Sequence, residues 1–202
     1  MGIFNREIKF ILASGSPRRK ELLGEIIPGF DIVVSEADEE SVPKTLPPEL
    51  YVEELALLKA AASAKSLDKK RSAIVIGADT VVTLDGEILG KPSDEADAFK
   101  MLKRLSGRKH EVYTGYCVMR LEDGFTLSKA EKTEVFFKEL DDERIRAYVE
   151  TGEPMDKAGA YGIQGLGKVL INKINGDYNN VVGLPVSALF DVLEKEFDIR
   201  LL

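Results

Sequence analysis

The stretch Ala73–Thr83 limits the architecture more than any other part of the chain. Ile74, Ile76, Ala78 and Val82 alternate with Val75, Gly77 and Val81, so both faces are apolar. Successive side chains of a strand point to opposite faces, and a strand that is apolar on both is covered on both. This strand is therefore expected at the centre of a sheet. Asp79 interrupts it, sharing a face with Gly77, which leaves room beside it. An ionised carboxylate in such a place is costly unless it is paired, bound to metal or facing a cleft. At the end of a central strand it can orient a water or hold a divalent cation. A structural aspartate satisfied by loop amides is the alternative. Thr80 points the opposite way, and a bend would be needed to bring its hydroxyl near.

The rest of the pattern mixes helices and strands. Ile8–Ala13 reads as a strand and Pro17–Ile27 as a helix, with Leu22, Leu23, Ile26 and Ile27 on one side. Ser16 suits its N-cap and Pro17 its first turn. Asp31–Ser35 reads as a second strand, followed by the acidic stretch Glu36–Glu40. Pro47-Pro48 opens a helix over Glu49–Ser66, with Val52, Leu55 and Ala62 on one face. Asp85-Gly86 is a hairpin signal before Glu87–Leu89. Ser93 is expected to cap a helix whose first turn carries Asp94, Glu95 and Asp97, as the macrodipole favours. Glu111–Leu121 and Thr126–Lys138 read as strands around Asp123-Gly124, and Asp141–Glu150 as a helix. The glycine-rich run Thr151–Gly167 is long enough to be functional. A strand over Val169–Ile174 and a helix over Pro185–Phe197 close the chain. No repeat or linker interrupts it, so the expectation is one α/β (or α+β) domain with a mixed sheet and flanking helices.

Composition excludes several functions. The 202 residues carry 28 basic and 35 acidic side chains, a net charge of −7. A polynucleotide binder usually carries a basic face, so that partner is not expected. Cys117 is the one cysteine and His110 the one histidine. No internal disulfide, cysteine-rich zinc site or histidine pair can form. Cys117 is expected as a small buried hydrophobe. His110, just after Gly107-Arg108-Lys109, is expected at a solvated strand start. No run approaches the ~20 apolar residues of a membrane span, and no secretory signal is evident. A cytoplasmic location is the expectation.

Other positions break local rules as Asp79 does. Arg18 and Arg19 occupy the first turn of a helix, the positive end of its dipole, where each costs on the order of 0.3–1 kcal/mol if exposed. A bound anion reverses that cost: backbone N–H groups, the hydroxyls of Ser14 and Ser16 and two guanidinium groups would converge on a phosphate. Two solvated arginines are the alternative. Lys59 falls on the apolar stripe of Val52, Leu55 and Ala62. Its ammonium either snorkels outward or aims into a cleft. Lys91, before Pro92, is equally ambiguous. In Asp156–Gly165 the glycine spacing is not a dinucleotide fingerprint. Gln164 there carries an amide that can donate and accept side by side, matching the carbonyl and N–H of a uracil or thymine edge. A turn glutamine in water is the bland alternative.

Taken together these segments resemble the Maf family of nucleoside triphosphate pyrophosphatases. The resemblance rests on Ile11–Arg19 with Glu21-Leu22-Leu23, on Ile76–Val82, on Leu89-Gly90-Lys91-Pro92, on Leu105–Arg108, on Val112–Gly115 and on Asp156–Gly167 followed by Val181–Pro185. It spans nearly the whole chain in order. It implies an elongated mixed α/β fold with a deep cleft between two lobes, similar to the inosine triphosphatase fold and often dimeric. It also implies cleavage between the α and β phosphates of a nucleotide with Mg²⁺, Mn²⁺ or a similar ion. By the resemblance Asp79 is the general base. Arg18, Thr80 and Gln164 shape substrate choice, and Ser14, Arg19, Glu36, Lys59 and Lys91 match further cleft residues. Glu36 or a neighbouring acid is expected to help hold the cation. Lys157 with Ala160–Gln164 resembles the branch acting on dTTP and UTP. Two rival readings remain: a nucleotide-sensing regulator of growth or division, and a housecleaning enzyme for purine or 7-methylguanosine triphosphates.

Overall fold

A computed structural model of the chain describes residues 8–34, 36–68 and 72–201. Ser35, the expected end of the second strand, lies outside the described residues. The strands are β1 (Lys9–Leu12), β2 (Asp31–Ile32), β3 (Ala73–Leu84), β4 (Glu87–Leu89), β5 (Lys109–Arg120), β6 (Thr126–Phe137) and β7 (Ile171–Asn175). The helices are α1 (Pro17–Ile26), α2 (Pro48–Lys65), α3 (Glu95–Leu105), α4 (Asp142–Val149), α5 (Tyr178–Val182) and α6 (Val186–Phe197). Among the described residues the strands form one seven-stranded sheet in the order β2-β1-β3-β5-β6-β7, with β4 paired to β3. Strand β1 runs parallel to β2 and β3, while β4 and β7 pair antiparallel to β3 and β6. The expected α/β class with a mixed sheet and flanking helices is what the chain adopts, and β3 is central.

The chain divides into two compact units. The first comprises the described parts of Met1–Asp79, Thr114–Glu131 and Gly183–Leu202, and the second Thr80–Tyr113 and Lys132–Val182. In the first unit, one cluster joins Ile11, Ala13, Ala56, Ala60, Val75 and Cys117. Helix α2 lies on the sheet at backbone contact. A Cβ on Gly77 would fall 2.3 Å from the Ala56 carbonyl oxygen, and one on Gly115 would fall 2.1 Å from that of Val52. The room beside Asp79 that Gly77 leaves is thus filled by α2. Cys117 is a buried thiol, as expected, and burial pushes its pKa up to about 11.

In the second unit, α3 and α4 pack together over a core of Val82, Leu102, Leu105, Phe137, Ile145 and Tyr161. Asp85 and Gly86 both adopt left-handed backbone in the two-residue turn between β3 and β4, the geometry that tight hairpins require. The helix start near Ser93 falls one residue later than expected. Asp94 is the N-cap of α3, its carboxylate accepting the Asp97 N–H at 2.7 Å, while Ser93 donates to the Asp97 carboxylate. A carboxylate and a hydroxyl cap equally well, so adjacent candidates are not separable by type. Short helix α5 was not expected from periodicity, because five residues span too little of it.

His110 corrects its expectation. It is 2% exposed, since β5 starts at Lys109 and turns residue 110 inward with Val112. Its ring meets those of Phe137 and Tyr161 edge-on, and Nε2 lies 2.7 Å from the Tyr161 hydroxyl. Burial lowers its pKa to about 4. The unfolded chain, with an ordinary imidazole, therefore takes up a proton between pH ~6.5 and ~4 that the folded chain refuses. This contribution is complete above pH ~6.5 and declines as pH falls toward 4, by roughly 3 kcal/mol in all. Urea unfolding of the native protein and His110→Phe at pH 7 and 4.5 checks it. The stability difference between the two should move by roughly 2–3 kcal/mol in favour of the variant at the lower pH. An unchanged difference refutes the assignment.

Candidate active site

Strand β1 ends at Leu12 and the chain enters α1 through Ala13-Ser14-Gly15-Ser16. Ser16 caps the helix as expected, its hydroxyl oxygen accepting the Arg19 N–H. Arg19 does not swing out to water. Its Nε donates to the Gly183 carbonyl oxygen at 2.8 Å and its Nη1 to the Ser14 hydroxyl oxygen at 3.3 Å. Ser14, 8% exposed, also accepts the Ser16 N–H. Burial is the largest influence on Arg19 and lowers its pKa, with Asp79 and Glu39 acting upward and Arg18 downward. These four charged groups therefore share one neighbourhood of the first unit.

Lys59 completes it. Its ammonium lies 2.5 Å from Asp79 Oδ1 and 3.1 Å from Glu39 Oε1. The lysine and aspartate side chains are 12% and 14% exposed. Neither the snorkelling of Lys59 nor the sealing of Asp79 by loop amides describes this arrangement. Pairing is the compensation that a carboxylate on a central strand demands. Tyr51, two turns before Lys59 on α2, is also drawn in. Burial raises its phenol pKa first, and the Asp79 and Glu39 charges add to the effect.

The first unit thus brings together Ser14, Arg18, Arg19, Lys59 and Asp79. Glu36 is exposed, and the carboxylate on Lys59 is that of Glu39, at the start of the 3₁₀ turn Glu39–Ser41. The resemblance pointed to Glu36 or a neighbouring acid, and no periodicity runs through the acidic stretch that could rank its members. Sequence reasoning also missed Gly183, which acts through its carbonyl, and Tyr51, which no pattern singled out. Among the described residues no three His, Cys, Asp or Glu side chains cluster to hold a metal ion. Mg²⁺ seldom needs such a cage, taking one or two carboxylates, water and substrate phosphate oxygens. Asp79 and Glu39 fit that donor set.

Thr80, Lys91 and Gln164 belong to the second unit. Thr80 and Gln164 are half-buried, and Lys91 is exposed before buried Pro92. Thr80 shares a face of β3 with Val82, and Val82 packs on Gly159, where an added Cβ would fall 2.9 Å from it. The Gly159 N–H donates to the Gly90 carbonyl oxygen at 2.9 Å, tying the glycine-rich loop to the residue before Lys91. Ala160 is buried there with left-handed backbone (φ 61°), a conformation that a non-glycine residue adopts only when its surroundings impose it.

Three cations and two carboxylates thus share one neighbourhood at a helix start, an arrangement suited to a small polyanion. Comparison with known proteins narrows the class: the Maf-like protein family matches residues 9–196, and the chain belongs to that family. It is 51% identical over 195 residues to a dTTP/UTP pyrophosphatase of Thermoanaerobacter sp. (strain X514), covering 96% of this chain and 100% of the relative. It is 52% identical to one from Alkaliphilus metalliredigens (96% and 99% covered) and 50% identical to one from Caldanaerobacter subterraneus (96% and 91% covered).

The Lys59–Asp79 pair should show a measurable coupling. In a double-mutant cycle with Lys59→Met and Asp79→Asn, urea unfolding at pH 7 should give a favourable interaction of roughly 1–3 kcal/mol, between exposed and fully buried pairs. A coupling near zero would mean that the contact contributes nothing to the fold.

Proposed function

We propose that this chain is a nucleoside triphosphate pyrophosphatase that hydrolyses dTTP and UTP to the monophosphate and pyrophosphate. The observation that carries the reading is the Lys59 ammonium held between Asp79 and Glu39, in the neighbourhood of Arg18 and Arg19. The names of the half-identical relatives support the substrate class. An enzyme of the cytoplasm suits this substrate, and no helix among the described residues is long and apolar enough to cross a membrane.

In this reading the triphosphate meets the start of α1, where Ser14 and the backbone N–H groups offer hydrogen bonds and Arg18 and Arg19 offer charge. Lys59 fixes Asp79 through Oδ1, and Lys91 adds a cation. Asp79 takes a proton from the attacking water, which displaces pyrophosphate in line at the α phosphorus. The cations stabilise the charge that gathers on the leaving group. Asp79 and Glu39, with Glu36 as a further acid of the same stretch, would hold a divalent ion such as Mg²⁺ or Mn²⁺, which supplies neutralisation of the phosphate oxygens. The charge count favours its need: four cations (Arg18, Arg19, Lys59, Lys91) against three carboxylates (Asp79, Glu39, Glu36) leave a surplus of one, far short of a triphosphate's charge. Gln164 reads the base edge and Thr80 positions base or water.

The reading is tested by following monophosphate and pyrophosphate release from dTTP, UTP, inosine triphosphate and 7-methylguanosine triphosphate, with and without divalent ion. Pyrimidine turnover that requires the ion is expected. Nucleotide binding with no turnover would make the chain a sensor, and a preference for either purine substrate would overturn the pyrimidine assignment. Asp79→Asn should lower kcat by about 10² or more with the fold intact, the usual value of general-base help. A near-native rate removes the base role. Gln164→Ala should erode the preference for UTP over inosine triphosphate with little effect on the melting temperature, and an unchanged ranking removes the base-reading role.

A further inference from the structure

Gln164 lies in the irregular stretch between Tyr161 and the 3₁₀ turn Gly167–Leu170, where no helix or strand ladder holds the backbone. One side chain largely takes over that task. The Glu153 carboxylate accepts the Leu166 N–H through Oε2 and the Gly167 N–H through Oε1, both at 2.9 Å. Its Oε1 also accepts the Tyr148 hydroxyl at 2.9 Å, and that hydroxyl oxygen in turn accepts the Gly162 N–H at 3.3 Å. The segment carrying Gln164 is therefore tied at both flanks, at Gly162 and at Leu166–Gly167, to one tyrosine–glutamate pair.

The packing around this pair is close. A Cβ on Gly165 would fall 2.7 Å from Glu153 Oε2, and one on Gly167 would fall 2.7 Å from the Tyr148 hydroxyl oxygen and 2.2 Å from the Gly162 carbonyl oxygen. At Gly165 and Gly167 a carboxylate and a phenol thus fill the space that a side chain would need. Glu153 is itself anchored: its N–H donates to Thr151 Oγ1, and its carbonyl oxygen accepts the Lys157 ammonium. Tyr148 is buried on α4. Burial alone would raise the Glu153 pKa, but the Leu166 and Gly167 amides, the Tyr148 hydroxyl and the Lys157 charge outweigh it and hold it below the ordinary range. The clamp is therefore made by an ionised carboxylate, whose hydrogen bonds are the stronger kind.

We propose that Glu153, seconded by Tyr148, is a positioning residue for substrate choice: by clamping both flanks of the Gly162–Gly167 turn it fixes the Gln164 amide in the orientation that reads the pyrimidine edge. The proposal rests on Gln164 reading the base. Amide readout is directional, since donor and acceptor must face their opposites, and a turn free to rotate its peptide planes would present that amide in several orientations. A site built to hydrogen-bond one base loses discrimination when its own polar group is no longer held against it.

The test compares native protein, Glu153→Gln, Tyr148→Phe, Gln164→Ala and the double variant Glu153→Gln/Gln164→Ala, measuring kcat and KM for UTP and for inosine triphosphate. Glu153→Gln keeps the side-chain shape and one acceptor oxygen but loses the charge. It should lower the ratio of kcat/KM for UTP over inosine triphosphate about tenfold, chiefly through the KM for UTP. Tyr148→Phe should act in the same direction and less. The double variant should lose no more than Gln164→Ala alone, because Glu153 acts through Gln164. A merely structural loss reduces the active fraction for both substrates alike and leaves the ratio unmoved. The proposal falls if folded Glu153→Gln keeps the native ratio while Gln164→Ala lowers it, or if the two losses multiply in the double variant. If Gln164→Ala itself leaves the ratio unchanged, the base-reading assignment fails first and the clamp has nothing to position. Should Glu153→Gln not fold, the ratio in Tyr148→Phe decides in the same way.

Discussion

An ammonium between two carboxylates, with Lys59 and Asp79 largely withdrawn from water and Glu39 at the exposed side, is possible here only because a helix backbone lies almost directly on a sheet. Gly77 and Gly115 present hydrogen where any other residue would present a Cβ, and α2 occupies the space so released. That approach sets Lys59 against Asp79 at 2.5 Å, close enough for the attraction to offset the desolvation that the aspartate suffers on β3. Removing the contact would strip Asp79 of its ammonium partner and leave it the charge of Arg19, which is itself disfavoured by burial. The charges of Arg19, Lys59, Asp79 and Glu39 hold each other in place, so the site is stable only as a set.

Much of this was legible in the residues, for identifiable reasons. Asp79 stood out because period-two alternation made both faces of β3 apolar, and an acid there contradicts the pattern. Arg18 and Arg19 stood out because they oppose the helix dipole, and Ser16 was recognisable because hydroxyl caps are local chemistry. These signals are written within a few residues of the feature they announce. Glu39 was not legible: it lies in an acidic run without periodicity, and only the 3₁₀ turn selects it. Gly183 was hidden for another reason. It contributes a carbonyl oxygen, which every residue carries, from 164 positions away in the chain. His110 was misjudged because its basic neighbours suggested solvent, whereas strand alternation from Lys109 turns it inward.

The glycine-rich loop shows the limit from the other side. Its glycines announced an unusual backbone, yet nothing local said what the backbone was bent around. Glu153 precedes Gln164 by eleven positions and Tyr148 comes from a helix, so their convergence is a product of the second unit's core and not of any motif. Left-handed Ala160 and the Gly159–Gly90 hydrogen bond belong to the same construction. Together they convert a stretch with the composition of a flexible loop into one whose amides are largely spoken for.

The two units therefore fix their functional side chains by different means, and the difference bears on how each tolerates change. In the first unit position follows from charge opposing charge under partial burial, where a substitution that preserves charge but not geometry, such as lysine for arginine at position 19, loses the forked contact to Ser14 and Gly183. In the second unit position follows from backbone N–H groups converging on one carboxylate, so the loop's own side chains are free to vary wherever they do not fill the turn. The charge set of the first unit is mutually compensated, so altering one member disturbs the others. The turn that carries Gln164 depends on hydrogen bonds to its backbone, which leave the side chain at that position replaceable.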